Sequence, residues 1–426
     1  MAVRQIEMRL KSAAAGAIFV LIVGFAVGLF SYRVARIAWA AEQSELLECN
    51  RIPAVIAADE SNPDLHNWAG ILYLNGDQVQ TEKAVREFRR AADLNPRVAE
   101  YWANLGRACF ITNDLGCAED AYERSAAAAP SKPSFVNDVA MYYLATGNTR
   151  KALSQVHRLL EMEPSQASSV LRVCLRAASP EVLWNAVIRD QTKIAVRMEF
   201  IQILSEQAME DAAHRFWGEL ADSRPTLSLE DARAYLDFLE SRHDYSEMTR
   251  VWMDLERLHA KSMPPRAEGN LIVNPGFEQA PTNLGLDWHL RREQFLDTQV
   301  VASGGSNALQ LDFTVPHNAE HESVYQLVPV SPGKTYQIRG RARSREITSD
   351  SGPRLRIVDP ACIDCVNVTS DSATGTTEWH ELSATFTAGV ATRLVRVSVW
   401  RPRSRSFPTE ISGQYWIDHV VLRSID

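Results

Sequence analysis

The sequence has little cysteine, no surplus of positive charge and none of the short motifs that mark common catalytic sites. Six cysteines among 426 residues are too few for a disulfide-rich scaffold. The net charge of −8 argues against nucleic acid as the main partner, which requires a basic surface. The chain has no nucleophile elbow, no phosphate-binding glycine loop and no His-Glu-x-x-His zinc motif. We therefore expect a binding protein that is not an enzyme and requires no cofactor.

Charge is also missing from one long run near the start of the sequence. Residues 12–32 contain no charged side chain and are nearly all apolar. At about 1.5 Å per residue, such a run crosses a hydrocarbon core of about 30 Å. A cleaved signal peptide is the alternative, but the apolar core of a signal peptide is normally shorter. Residues 38–40 fit a small-x-small cleavage site only loosely, and they lie well past the apolar run, beyond Arg33 and Arg36. We predict that residues 1–40 form a tail and an uncleaved transmembrane anchor.

The charges that flank this run bear on its orientation. Arg4, Arg9 and Lys11 precede it and favour a cytoplasmic amino terminus, although Arg33 and Arg36 on the far side weaken the signal. We therefore expect a single-pass membrane protein with its bulk outside the cytoplasm.

Residues 65–164 repeat with a period of 34 residues. Pro96, Pro130 and Pro164 mark the period, and each closes an apolar run at helical spacing. Equivalent slots hold Trp102, Leu105, Gly106, Ala118 and Tyr122 in one period and Val136, Val139, Ala140, Ala152 and Val156 in the next. The pattern resembles the tetratricopeptide (TPR) repeat, a pair of antiparallel helices per unit. That resemblance implies stacked helix pairs with a groove for a protein or peptide.

The remaining helical sequence is less regular. Residues 65–96 resemble a first, irregular repeat, and we expect its Trp68, like Trp102, to be a core residue. Two further helix pairs are predicted around residues 200–216 and 235–255. Adjacent Pro264 and Pro265 then break the helical pattern. The predicted domains are a connecting segment 41–64, TPR repeats 65–166, degenerate helical repeats 167–262 and a linker 263–268.

After residue 268 the sequence pattern changes to short runs in which apolar and polar residues alternate. Around 155 residues of this kind, separated by Gly, Pro, Ser and Asn turns, predict an antiparallel β-sandwich. The predicted fold class is therefore a multidomain chain: a transmembrane helix, then an all-α TPR-like solenoid, then a β-sandwich.

Several stretches of this region resemble the jelly-roll carbohydrate-binding modules of the family 4 and 9 type. They are Asn-Leu-Ile-Val-Asn-Pro-Gly-Phe-Glu at 270–278 with Trp288 after it, and residues 305–311, 330–336 and 416–422. The resemblance covers residues 269–426 and implies an opening strand at 270–278. It also implies that five aromatic residues belong to the core: Phe277, Trp288, Tyr336, Trp379 and Phe386.

In the related modules a structural calcium ion sits where the opening and closing strands meet. The match implies Glu278 and Asp418 as two of its oxygen ligands here. A solvated or hydrogen-bonded Glu278 is the alternative.

A glycan surface is predicted from an aromatic residue with arginine neighbours. Trp400 shares a strand face with Arg396, and Arg339 and Arg341 line the face of another strand. Arginine presents forked donors suited to carboxylates and sulfates, so an acidic polysaccharide is the expected ligand. The alternative is a solvated sheet face without a ligand.

Four cysteines are predicted to form two disulfides in an oxidising compartment. Cys362 and Cys365 lie in a polar loop, and Cys109 and Cys117 flank a turn between two helices. A zinc site would need two further ligands beside the Cys-x-x-Cys pair. Cys49 and Cys174 have no predicted partner.

These features together predict a membrane-anchored extracytoplasmic scaffold for the assembly of an envelope or exported polysaccharide. TPR repeats would bind a protein partner, and the jelly roll would bind a glycan. The alternative is a non-catalytic accessory subunit of a membrane glycan polymerase or ligase, with the catalytic residues on the partner.

Overall fold

The structure is a computed structural model that describes residues 13–44, 52–76 and 79–425. These residues fall into two compact units, one ending at Thr192 and the other beginning at Lys193. Arg4, Arg9, Lys11 and Cys49 lie outside the described residues, so what was predicted from them stays a prediction.

Helices make up the first unit, together with a 3₁₀ turn at Pro164–Gln166 and a π turn at Trp184–Ile188. Their bounds are α1 (Ala13–Ser44), α2 (Ile52–Ala58), α3 (Pro63–Asn75), α4 (Thr81–Leu94), α5 (Ala99–Ile111), α6 (Leu115–Ala128), α7 (Pro133–Ala145), α8 (Thr149–Met162), α9 (Ala167–Cys174) and α10 (Pro180–Leu183). Within α1 the stretch Val20–Trp39 is long and apolar enough to cross a membrane, a test that a signal sequence also meets.

Helices α3 to α8 pack as three successive pairs, and small residues explain how closely the members of a pair approach. A methyl group on Gly70 would lie 2.6 Å from the Phe88 ring, and one on Gly106 would lie 2.9 Å from the Tyr122 ring. Each glycine therefore receives an aromatic ring from the second helix of its pair. These are the close approaches expected of the repeat pattern.

The two glycines correct the predicted register of the first repeat. Gly70 and Gly106 are equivalent, so the residue equivalent to buried Trp102 is His66, not Trp68. His66 is buried, and Trp68 is 52% exposed. The prediction that Trp68 belongs to the core is therefore wrong, because an irregular turn after α3 shifts the first helix against the 34-residue period.

The second unit begins with four helices: α11 (Ile194–Glu206), α12 (Glu210–Asp222), α13 (Arg233–Ser241) and α14 (Tyr245–Arg257). They form the two additional helix pairs that the sequence predicts. Asp244 caps α14 by accepting a hydrogen bond from the backbone N–H of Glu247 at 3.1 Å.

Ten strands follow and form two antiparallel five-stranded sheets. Their bounds are β1 (His289–Leu290), β2 (Leu296–Ser303), β3 (Ser306–His317), β4 (His321–Pro329), β5 (Thr335–Ile347), β6 (Arg354–Val358), β7 (Asn367–Thr369), β8 (Gly375–Thr387), β9 (Leu394–Arg401) and β10 (Ile411–Ser424). The first sheet has the order β1-β4-β9-β6-β7, and the second has the order β2-β3-β10-β5-β8. The predicted fold class, an apolar N-terminal helix, a TPR-like helical region and a β-sandwich, is confirmed.

One apolar core lies between the two sheets. It contains four of the five aromatic residues expected there: Phe277, Trp288, Tyr336 and Phe386. Trp379 is the exception, because it is half-buried and lies outside this core. Along this strand Leu382 and Phe386 face the core, so Trp379, at an odd-numbered position, points to the outer face of the sheet, where it lies beside two arginines.

The segment 270–278 is irregular, although the resemblance implies a strand there. Asn274 and Phe277 have φ of 51° and 53°, which interrupts a regular ladder. The segment is instead held to the last strand by Asn270, whose side chain donates to the carbonyl of Val420 at 3.2 Å and accepts from the N–H of Leu422 at 2.9 Å.

Candidate functional site

The first helices of the repeats form a continuous inner layer. Helix α3 contacts α5, and α5 contacts α7, as expected of the concave side of a curved stack. Trp68, Asn104 and Asp138 each lie two residues before the equivalent small residues Gly70, Gly106 and Ala140. They therefore occupy the same position on three successive inner helices. We call these three residues the inner row.

The inner row combines an exposed indole with polar groups. The Asn104 amide donates to Oδ1 of Asn67 at 2.9 Å, which orients its side chain. Burial raises the pKa of Asp138, and the nearby Arg107 guanidinium opposes that shift. The inner row therefore offers an apolar ring, an amide and a carboxylate to a partner, and the exposed Arg107 near it adds a cation.

The four predicted disulfide cysteines are paired in the structure. Cys109 and Cys117 have Cα atoms 5.8 Å apart and close the turn between α5 and α6. Cys362 and Cys365 have Cα atoms 5.3 Å apart in the loop after β6. Cys174 is buried, and its burial raises the pKa of its thiol to about 11.

The predicted glycan residues do not come together in one site. Trp400 and Arg396 lie on β9 in the first sheet, whereas Arg339 and Arg341 lie on β5 in the second sheet. All four point away from the core that separates the two sheets. A single contact surface made of these four residues is therefore excluded by the sheet topology, which strand sequences alone do not reveal.

Trp400 is already engaged within the protein. Its indole N–H donates to Oε1 of Glu320 at 2.7 Å. The Arg356 guanidinium lies 4.5 Å from the centre of its ring, and that of Arg354 lies at 5.9 Å. Arg396 is separated from this cluster and lies over the ring of Tyr325 at 5.2 Å.

The outer face of the second sheet carries a row in which tryptophan and arginine alternate. Arg343 lies 4.3 Å from the ring centre of Trp416 and 5.5 Å from that of Trp379, and Arg341 lies 5.5 Å from Trp379 on the other side. We call Trp416, Arg343, Trp379 and Arg341 the tryptophan–arginine row. Within the described residues, the indole N–H of Trp379 has no hydrogen-bond partner, so it remains available to a ligand.

The sequence analysis missed most of this row. A signal was present on β10, where Trp416 alternates with Tyr415 and Ile417, both of which are fully buried. A signal was also present on β8, where Trp379 is out of phase with the buried Leu382 and Phe386, but the family resemblance assigned Trp379 to the core.

The two carboxylates implied as calcium ligands do approach one another. A methyl group on Gly276 would meet Oε1 of Glu278 at 2.8 Å and Oδ1 of Asp418 at 3.3 Å. The Asp418 oxygens already accept hydrogen bonds from the His419 backbone at 2.6 Å and from its ring at 2.7 Å. Within the described residues no three His, Cys, Asp or Glu side chains are grouped to hold a metal. Two carboxylates fall short of the six to eight oxygens that calcium takes, so calcium stays a prediction.

Comparison with known proteins gives one family match. Residues 76–133 match a tetratricopeptide repeat family. None of the curated proteins matches the sequence.

Solved structures show similarities to separate parts of the chain. One is the enzymatically active domain of bacteriophage CBA120 tailspike protein 4, with a TM-score of 0.28, 14% identity, 37% of this chain covered and only 22% of that chain. Another is a CBM4 protein, with a TM-score of 0.28, 15% identity and coverage of 36% of this chain and 99% of that one. Pseudomonas aeruginosa pilF has a TM-score of 0.28 and 13% identity, and the similarity covers 55% of this chain and 95% of that one. None of these similarities identifies a ligand or a partner. The family match and the helix pairs together support a TPR-like helical region, and the two antiparallel sheets form the β-sandwich that follows it.

Proposed function

We propose that the chain is a membrane-anchored, non-catalytic scaffold whose inner row binds a protein partner. The observation that carries the proposal is the 52% exposure of Trp68 on the inner layer of the repeats. Tryptophan is among the residues that contribute most to protein interfaces when it enters a partner's pocket. Burying its exposed half, about 120 Å², would contribute about 3 kcal/mol to binding.

Site-specific crosslinking in the membranes of the native cell tests this proposal. A light-activated crosslinking amino acid at position 104 should yield a discrete adduct with one protein, and Trp68→Ala should abolish it. The matched control is position 120, because Asp120 is exposed on the outer helix α6. Equal adducts from positions 104 and 120, or an adduct that survives Trp68→Ala, would reject the inner row as the binding surface.

A second binding activity, towards a glycan, is favoured by the tryptophan–arginine row. Trp379 offers a half-exposed ring and an unpartnered N–H, and Arg341 and Arg343 on either side supply forked donors for acidic groups. Trp400, the contact predicted from sequence, is the weaker candidate because Arg356 covers its ring and Glu320 accepts from its N–H. The proposed ligand remains an acidic polysaccharide.

Affinity electrophoresis compares the contributions of Trp379 and Trp400 to glycan binding. The full-length chain, in detergent, migrates through gels that contain an acidic polysaccharide, and binding retards it. Trp379→Ala should reduce the retention at every salt concentration, because stacking of a sugar on the ring is apolar. Arg341→Ala should matter mainly at low salt, because the Debye length falls from about 10 Å at 0.1 M to about 3 Å at 1 M. If Trp400→Ala reduces retention and Trp379→Ala does not, the glycan site is on the first sheet instead.

The wider role that we propose is the assembly of an envelope or exported polysaccharide outside the cytoplasm. The alternative role is an accessory subunit of a membrane glycan polymerase or ligase. The anchor is tested by deleting residues 1–40, which should turn a membrane-bound protein into a soluble one. If expression of the full-length gene instead yields a soluble protein whose N-terminus is near Glu42, α1 is a cleaved signal sequence.

A further inference from the structure

A cavity of about 560 Å³ lies within the second unit, between the helices and the outer face of the first sheet. The turn between α13 and α14 forms one wall, and strands β1, β4 and β9 form the other. Tyr325 and Leu327, both buried, belong to the sheet wall beside Arg396. The cavity is separate from the tryptophan–arginine row, which belongs to the other sheet.

The charges in this cavity are unevenly paired. Glu240 is satisfied, because it accepts from the Tyr325 hydroxyl at 2.9 Å and lies 3.5 Å from the Arg291 guanidinium. Burial, with the charge of Glu240 adding, raises the pKa of Tyr325 to about 12, so its hydroxyl stays a donor. Arg396, in contrast, forms no salt bridge with any described residue, and its Nε is buried without a hydrogen-bond partner.

A second donor stands near Arg396. The Tyr245 hydroxyl makes no hydrogen bond with another described residue, and burial raises the pKa of Tyr245 against the opposing influence of Arg396. The Arg396 guanidinium lines the cavity without a carboxylate partner, and a carboxylate is the group that a guanidinium and a hydroxyl satisfy together. These two donors therefore indicate an anionic oxygen ligand.

The other residues that line the cavity limit the chemical class of the ligand further. Asp237 supplies an acceptor on the rim, and Asn283, whose Oδ1 already accepts from the backbone N–H of Leu290 at 2.6 Å, supplies its amide N–H groups. A simple anion would not use both kinds of group, whereas the hydroxyl groups of a sugar would. Because Asp237 would repel a ligand of high negative charge, a single carboxylate on a polyhydroxylated ring fits better than a sulfate or phosphate.

We propose that this cavity binds a hexuronic acid, with the carboxylate on Arg396 and Tyr245 and the hydroxyl groups directed to Asp237 and Asn283. The sugar is either a free monosaccharide or the terminal residue of a chain. The site takes ligand between the helices and the sheet, and it does not depend on the glycan surface proposed above.

Titration calorimetry on the full-length chain in detergent tests the proposal, with galacturonate, galactose and trigalacturonate as probes. Galacturonate should bind at least about tenfold more tightly than galactose, because a hydrogen-bonded charge is lost with the carboxylate. Arg396→Gln should weaken galacturonate binding by about tenfold or more, and Tyr245→Phe by a smaller factor. Trigalacturonate that binds more tightly than the monomer would identify a chain end as the source.

Two control variants make the result decisive. Arg405→Gln removes an exposed arginine from the loop between β9 and β10 and should leave the affinity unchanged. Trp379→Ala is the second: it removes the polysaccharide contact proposed on the other sheet, so any binding that it abolishes belongs to that contact and not to the cavity. Equal affinities for galacturonate and galactose, or an Arg405→Gln loss as large as that of Arg396→Gln, would overturn the proposal. Galacturonate binding that is lost in Trp379→Ala but kept in Tyr245→Phe would also overturn it. Tyr245→Phe removes only one hydroxyl group from the protein.

Discussion

The helical repeats and the β-sandwich present their outward tryptophans differently. In the repeats, Trp68 is 52% exposed, and within the described residues no lysine or arginine lies over its ring. In the sandwich, Trp416 is only 7% exposed, with Arg343 at 4.3 Å, and Trp400 lies beneath Arg356 at 4.5 Å. An arginine on a ring contributes about 0.5–1 kcal/mol at an exposed site.

Under the function proposed above, this difference favours a different kind of ligand for each region. A partner that meets Trp68 gains the whole apolar contact, which suits a side chain of another protein. A ligand that meets the sandwich must share the ring with a guanidinium or displace it. A polar, anionic ligand can use both groups, because the arginine that covers the ring also binds the charge.

The largest effect is expected where a tryptophan is a true core residue. Trp288 is fully buried in the sandwich, so Trp288→Ala should lower the free energy of unfolding by about 3–5 kcal/mol. The matched change Trp379→Ala on the outer face should cost about 1 kcal/mol or less. Thermal unfolding followed by circular dichroism measures both. Equal losses would mean that Trp379 belongs to the core, as the sequence resemblance implies.

A smaller effect is expected in the repeats, where the partner of the ring is a glycine. Gly106→Ala would place a methyl group 2.9 Å from the Tyr122 ring, and overpacking of this kind costs about 1–3 kcal/mol. The control is Gly116→Ala in α6, whose new methyl group would meet only Oδ1 of Asp114 at 3.9 Å. There the better helix propensity of alanine should stabilise the protein by up to about 1 kcal/mol. Opposite signs in the melting temperature confirm the close approach, and equal signs reject it.

A pH effect should follow from His66, which fills the slot that Trp102 fills in the next repeat. Burial lowers the pKa of His66, but hydrogen bonds to Glu87 at 2.7 Å and to the carbonyl of Glu60 at 3.0 Å outweigh it, and the net shift is upward from 6.5. The stabilisation is therefore complete below about pH 6.5 and is lost as the pH rises through the folded-state pKa.

The measurement is the difference in melting temperature between the wild type and His66→Gln across a pH series. The difference should be largest at low pH and shrink as the pH rises. A difference that grows with pH would show that His66 is neutral in the folded protein.

The smallest effect on stability is expected from uncovering a sandwich tryptophan. Arg343→Ala removes the guanidinium from Trp416 and should cost about 0.5–1 kcal/mol. Its effect on fluorescence should be clearer, because acrylamide would then reach a ring that is 7% exposed in the native protein. Trp68→Phe is the reference, since it should remove a component that acrylamide already quenches. Unchanged quenching in Arg343→Ala would mean that neighbours other than Arg343 cover the ring.

The sequence was sufficient for the architecture because each element has its own period. The spacing of Pro96, Pro130 and Pro164 located the repeats, and alternation located the strands that now bury Ile338, Val397 and other core residues. Periodicity fails where an irregular turn intervenes, as after α3, which is why Trp68 was assigned to the core.

Most of the site lay beyond that reasoning. Alternation correctly assigned Arg339, Arg341 and Arg396 to outer faces, but it carries no information on which strands share a sheet. The outward position of Trp379 is different, because its alternation with Leu382 and Phe386 is visible in the strand sequence and the family resemblance overrode it. The cavity at Arg396 depends on packing between helices and sheet, and no local pattern encodes such packing.

The position of β10 determines the order in which the helical repeats and the β-sandwich can fold. This strand follows all the others in the sequence, yet it lies between β3 and β5, and Asn270 at the start of the domain bonds to it. During synthesis or export, the second sheet stays divided until β10 has emerged, because its long-range pairings cannot form earlier. Each helix pair, in contrast, can close on its neighbour as soon as both are available. The helical repeats can therefore be complete while the sandwich still lacks a central strand, so the partner proposed for the inner row would find its surface formed before the proposed glycan does.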